Sequence, residues 1–232
     1  MLYPFFDSTY ILIIFGIAVS MIASGFVKRT FNTYNKVKSQ NGYTATDAAR
    51  FILEQSGIHD VRIERVRGDL TDHYDSRAKV LRLSDTTANS TSVAAIGVAA
   101  HEVGHAIQDQ KNYIPLRLRA ALVPAANFGQ TLSMPMIMIG VFSGMNQTFL
   151  NLGILFFSFS FLFQVVTLPV EFNASGRALR ILSNGGILNA QEVPKARKVL
   201  VAAAMTYVAA AFMSFLQLLR LLLLFGGGNN DD

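Results

Sequence analysis

The sequence predicts an α+β integral membrane protein that is mostly helical, with about four transmembrane helices and one small cytoplasmic unit of helix and sheet. Three observations predict this. Of 232 residues, 51 % are hydrophobic and only 15 % charged, against about 25 % charged in an ordinary soluble domain. Four long apolar runs, charge-free except for Arg220, occupy residues 10–27, 120–142, 149–170 and 199–225, each long enough to cross a bilayer. Between the first two lies a polar stretch with helix-like and then strand-like periodicity. The net charge of +5 does not argue for nucleic acid, because the basic residues flank the apolar runs. The absence of Cys excludes disulfides and thiolate metal ligands, and the absence of Trp leaves Tyr and Phe as interfacial anchors.

Residues 10–27 are the first span. Asp7 lies upstream, and Lys28, Arg29, Lys36 and Lys38 follow. A signal peptide has the opposite order, basic then apolar, so the segment reads as an uncleaved anchor. Residues 40–83 look soluble. Thr46 is expected to cap a helix that starts at Asp47, carries Phe51, Ile52 and Ile58, and ends at Gly57. Val61, Ile63 and Val66 alternate with Arg62, Glu64 and Arg65, which predicts a strand. After the Gly68-Asp69 turn comes a second strand near residues 70–74, and Asp75-Ser76-Arg77 turns it into a third over residues 79–83. Ser90 or Thr91 is expected to cap a long helix, and residues 111–119 form a basic connector. Residues 120–142 carry Pro124, Asn127, Gln130, Thr131 and Pro135. That helix should therefore pack against protein or line a cavity, not face lipid on all sides. Residues 149–170 and 199–225 are the third and fourth spans. The polar segment 171–198 separates them, and a flexible tail, 226–232, ends the chain.

Residues 28–119 and 171–198 hold 19 of the 20 Lys and Arg. The positive-inside rule then places both in the cytoplasm and both termini outside. Arg220 falls near the outer end of the last span, where it can snorkel. The chain is thus placed in the cell (inner or plasma) membrane, with the lipid bilayer as its surroundings and no oligomer specified.

Within the long helix stands His101-Glu102-Val103-Gly104-His105. Positions i and i+4 share a helix face, so two imidazoles can reach one Zn²⁺. Glu102 sits where it can take a proton from a metal-activated water. One zinc per chain is expected. A catalytic zinc usually has three protein ligands and an open position. Of the remaining histidines, His59 reads as a surface residue, while His73 could approach the metal or the substrate. Glu192 reads as loop or helix-start chemistry. Glu171 is the stronger candidate, because a Glu directly against a membrane span is poorly explained as a solvated charge.

The chemistry this set implies is endopeptidase hydrolysis, with Glu102 as general base and then proton donor to the leaving amine. Tyr74, His73, Tyr113 and Arg177 are candidate oxyanion donors. The strand over residues 79–83 is expected to be an edge on which an extended substrate pairs, so substrates would be unfolded or membrane-proximal peptide or protein segments. The rival class is a non-hydrolytic, zinc-stabilised adaptor or chaperone-like protein. Glu102 argues against it, since a purely structural site needs no general base.

Gly68-Asp69-Leu70-Thr71-Asp72-His73-Tyr74-Asp75, the HExxH segment through Gln108, Pro115-Leu116-Arg117-Leu118-Arg119 and Leu168-Pro169-Val170-Glu171-Phe172-Asn173-Ala174-Ser175 together resemble the YugP-type bacterial membrane zinc metallopeptidase family. The resemblance covers most of residues 28–198. It implies a gluzincin-like, zincin-fold catalytic region over residues 28–119, more distantly similar to the HtpX-type and prenyl-protein membrane proteases. In those, a Glu-x-x-x-Asp motif supplies the third ligand, and its Asp supports a metal histidine. Here Glu171 occupies the ligand position and Ser175 the Asp position, and Asn173 stands where an acid is usual.

Overall fold

The computed structural model describes residues 7–226; the expected tail falls almost wholly outside them. In chain order the elements are α1 (Tyr10–Tyr34), α2 (Ala45–Gln55), β1 (Arg62–Val66), β2 (His73–Asp75), β3 (Val80–Ser84), α3 (Asp85–Ala88), α4 (Val93–Gln110), α5 (Ile114–Phe142), α6 (Gln147–Asn184) and α7 (Val193–Phe225). The protein is therefore mostly helical with one small sheet, as predicted. Three helices, α1, α6 and α7, are long and apolar enough to cross a membrane. α5 is helical throughout the expected second span, but its amides, with Pro124 and Pro135, dilute its apolar character and it is not in that group.

Contacts divide the chain into two units. The first takes residues up to 23, 118–168 and from 206 onward. Its α5 and α6 stretches pack through small residues: a Cβ on Gly129 would lie 2.2 Å from the Phe156 carbonyl, and one on Gly153 2.9 Å from that of Ser133. Ser133 Oγ donates to the Gly153 carbonyl (2.8 Å) and Ser160 Oγ to that of Ala126 (3.2 Å). Polar side chains on the α5–α6 contact thus bond across the helix pair, the usual way such groups are accommodated among apolar helices. Arg220 does not simply snorkel. It is 9 % exposed, donates to Asp7 (3.3 Å) and Thr9 (3.1 Å), and lies 4.1 Å from the centre of the Tyr10 ring.

The second unit takes residues 24–117 and 169–205. α2 starts two residues earlier than expected: Thr44, not Thr46, is its N-cap, in a reciprocal capping box with Asp47. Thr46 instead donates to the Ala88 carbonyl. α4 is capped by Ser92, not Ser90 or Thr91; its Oγ accepts from the Ala95 N–H and donates to Asn35. The sheet order is β1-β3-β2, with β1 parallel and β2 antiparallel to β3. β3 is therefore the central strand, not an edge, and the expected substrate-pairing role cannot fall on it. The edge strand beside α4 is β2. Asp75 closes the β2–β3 turn by accepting from the Arg77 and Ala78 N–H groups. Asp72 accepts from Ser84 and Thr87, tying the start of β2 to the β3–α3 junction.

The core of this unit is built on α4. Ala95, Ala99, Ala100 and Val103 are fully buried, among Ala48 and Ile52 of α2, Leu81 and Leu83 of β3, Ala178 and Leu182 of α6 and Ala196 of α7. Small side chains let α4 approach its neighbours closely. A Cβ on Gly97 would lie 3.5 Å from Ala196.

Candidate metal centre

The HExxH residues occupy the middle of α4, and Glu171 lies inside α6. Glu171 is therefore not at a helix end, as the apolar run suggested. Pro169 does not break the helix, which continues to Asn184. The two helices meet at Gly104, between the two histidines: a Cβ there would lie 2.6 Å from the Ala174 carbonyl. Only glycine permits this approach, and it brings Glu171 to the imidazoles.

His101 Nε2 lies 3.2 Å, and His105 Nε2 3.5 Å, from Glu171 Oε2. The three potential ligand atoms all fall within 4.8 Å of one another, the only such group among the described residues. Tetrahedral zinc with bonds of about 2.0–2.1 Å places donor atoms about 3.4 Å apart; both histidine–Glu171 distances lie near that value, and two imidazoles with a carboxylate are a donor type that suits the ion. His105 and Glu171 are buried, at 8 % and 2 % exposure.

The other ring nitrogens are engaged. His101 Nδ1 lies 3.0 Å from the Ser175 hydroxyl. His105 Nδ1 lies 3.0 Å from Gln108 Oε1. The orientation of Gln108 is set from the other side, because its Nε2 donates to the Val170 carbonyl (2.8 Å) and to Asn173 Oδ1 (3.0 Å). A carbonyl can only accept, so Gln108 Oε1 must face His105. Nδ1 then carries the proton, and the Nε2 lone pair is left for a metal. Asn173 is held in turn by the Arg177 guanidinium (2.7 Å). Gln108 was not singled out from the sequence. Its signal is a polar residue three positions after His105, hence on the same helix face, and it is fully buried.

Glu102 is reached from β2. The Tyr74 N–H donates to its Oε2 at 3.1 Å, while the Tyr74 hydroxyl donates to Asp109 (2.8 Å), which also receives Lys79 Nζ (2.7 Å). One residue of the edge strand thus engages both ends of a two-turn stretch of α4. Burial pushes the Glu102 carboxyl above the ordinary carboxylate range, against the pull of the two histidines. At His105 burial works to lower the pKa, but hydrogen bonding to Glu171 and the charge of Glu102 outweigh it and leave it raised.

His59, His73 and Glu192 are not part of this cluster. His59 is exposed. His73 is also exposed, with Nδ1 on the Thr71 carbonyl and Nε2 near Arg82. Glu192 accepts from the Gln40 and Asn189 N–H groups at the start of α7, the loop chemistry expected of it. Of the oxyanion candidates, the Tyr74 hydroxyl is bonded to Asp109, and Arg177 bonds Asn173 over the Tyr113 ring.

This cluster agrees with the comparisons. The family model described as "Putative neutral zinc metallopeptidase" matches residues 9–226, and the chain belongs to that family. It is similar to the "Putative membrane protease YugP" of Bacillus subtilis (strain 168), at 44 % identity over 209 residues covering 90 % of this chain and 92 % of the relative. No solved structure matches the chain.

Proposed function

We propose that the protein is a membrane-embedded zinc endopeptidase whose active site faces the cytoplasm at the membrane surface. One observation carries the reading. Two imidazole nitrogens and a buried carboxylate converge within bonding reach of a single ion, with the outward ring nitrogens already engaged and a half-buried carboxyl, Glu102, in the same helical turn.

His101, His105 and Glu171 would hold the zinc. When bound, it supplies Lewis-acid polarisation of the scissile carbonyl and acidifies the attacking water. Glu102 accepts the proton of that water and delivers it to the departing amine. Its raised pKa brings it nearer the range such transfers require, and the Tyr74 N–H fixes which oxygen is left for the proton. Ser175 and Gln108 orient the imidazoles.

The chain spans the bilayer four times, with both termini outside. α5 supplies the second crossing, its Ser133 satisfied against α6. At 1.5 Å per residue, the 38 residues of α6 extend about 57 Å, well beyond a hydrocarbon core of about 30 Å. The apolar part, 149–170, fills that thickness, and Glu171 emerges at its cytoplasmic face. Substrates are unfolded or membrane-proximal segments, and β2 is the edge against which an extended chain would lie.

The test uses purified full-length protein and casein. Cleavage should disappear when zinc is chelated and return when it is restored, with new N-termini identified by mass spectrometry. Casein that binds without being cut at full zinc occupancy would favour the adaptor reading instead.

A further inference from the structure

A second cavity, of different chemistry, opens where two apolar runs meet their basic ends. Phe26, Arg29 and Tyr34 of α1 and Arg197, Lys198 and Val201 of α7 line a volume of about 420 Å³. Its wall is mostly apolar, and Phe26 and Val201 are each 48 % exposed. Three cations stand at it. None is in the ion pairs found among the described residues, which engage other arginines and Lys79. Lys198 Nζ lies 5.9 Å from the Tyr34 ring centre, and Lys28 and Lys36 border an adjoining groove with Arg29. Converging basic side chains without a carboxylate call for an anion. A free anion, however, would gain nothing from the apolar wall.

We infer that this cavity holds an anionic phospholipid, with its phosphate among Arg29, Arg197 and Lys198 and an acyl chain against Phe26 and Val201. The inference rests on the reading of α1 and α7 as membrane spans. Arg29 follows the run 10–27, and Arg197 and Lys198 precede the run 199–225, so all three belong at the headgroup level of the cytoplasmic leaflet.

The experiment is native mass spectrometry of the detergent-solubilised full chain, titrated with phosphatidylglycerol and phosphatidylcholine of equal chain length. The variants are the triple R29Q/R197Q/K198Q and a charge-matched control, R62Q/R67Q/K111Q. With about a fivefold gain per basic residue near an anionic lipid surface, wild type and control should prefer phosphatidylglycerol by at least roughly tenfold, and the triple variant should bind both lipids alike. Equal binding by wild type, or an equal loss in the control, would overturn the inference. So would displacement of the lipid by millimolar inorganic phosphate, which would mark a free-anion site. Zinc content of one per chain is read in parallel to show that each variant is folded. If the triple variant fails this check, single R197Q and K198Q must each show a several-fold loss, and no loss in either refutes the site. Zinc content and casein cleavage do not depend on this site, so failure here is distinguishable from failure of the peptidase reading.

Discussion

At the scale of single residues, the candidate centre depends on which nitrogen of each imidazole is free. Gln108 sets this for His105, because its amide nitrogen is already committed to Val170 and Asn173. Gln108→Ala should weaken zinc binding by about 10–100-fold while leaving the helix intact, as measured by competition with a fluorescent chelator. The same assay has a predictable pH dependence. The His105 pKa in the metal-free protein is raised, above the ordinary value of about 6.5, and zinc needs the neutral ring. Protons therefore compete with the metal from above pH 6.5, and affinity should fall steadily from pH 8 to pH 6; a flat profile would contradict the assignment. The residues of HExxH were legible in the sequence because i and i+4 on one helix face is a local relation. Glu171 was legible because a charge against an apolar run stands out. Gln108 was not, because its significance lies in partners 62 and 65 residues away.

At the scale of elements, the critical contact is α4 against α6. Gly104→Ala would place a methyl group 2.6 Å from the Ala174 carbonyl. Overpacking of this kind costs about 1–3 kcal/mol, and here it must separate the helix that carries the histidines from the one that carries Glu171. Zinc content per chain should fall well below that of wild type, whereas Gly176→Ala on α6, where a Cβ meets nothing, should leave it unchanged. Unaltered zinc content in Gly104→Ala would show that the approach is not needed. Most elements were readable from periodicity, but their pairing was not. β3 has the cleanest alternation, and its place just before the metal helix suggested an edge. Its central place follows from β1 joining it in parallel, a long-range pairing that periodicity does not encode. Likewise the end of the apolar run at Glu171 suggested a helix end, yet α6 runs on because Ala174, Ala178 and Leu182 are buried against the α4 core.

At the scale of the molecule, the distribution of Lys and Arg carries the proposed orientation. The absence of native Cys makes this directly testable with single-cysteine variants at exposed positions. Ser76→Cys, in the β2–β3 turn, should react with a membrane-impermeant maleimide only after the cells are opened, and Ser143→Cys, after α5, should react on intact cells. The opposite pattern would invert the topology. Composition made the long apolar helices α1, α6 and α7 legible, while α5 was harder to read because its amides and prolines dilute its apolar character. The central claim, that the centre hydrolyses peptide bonds through Glu102, is tested most directly by the initial rate of casein cleavage for wild type and Glu102→Gln at matched zinc occupancy. The variant should bind one zinc per chain and lose at least about 10²–10⁴ in rate. Equal rates in the two proteins would contradict the assignment.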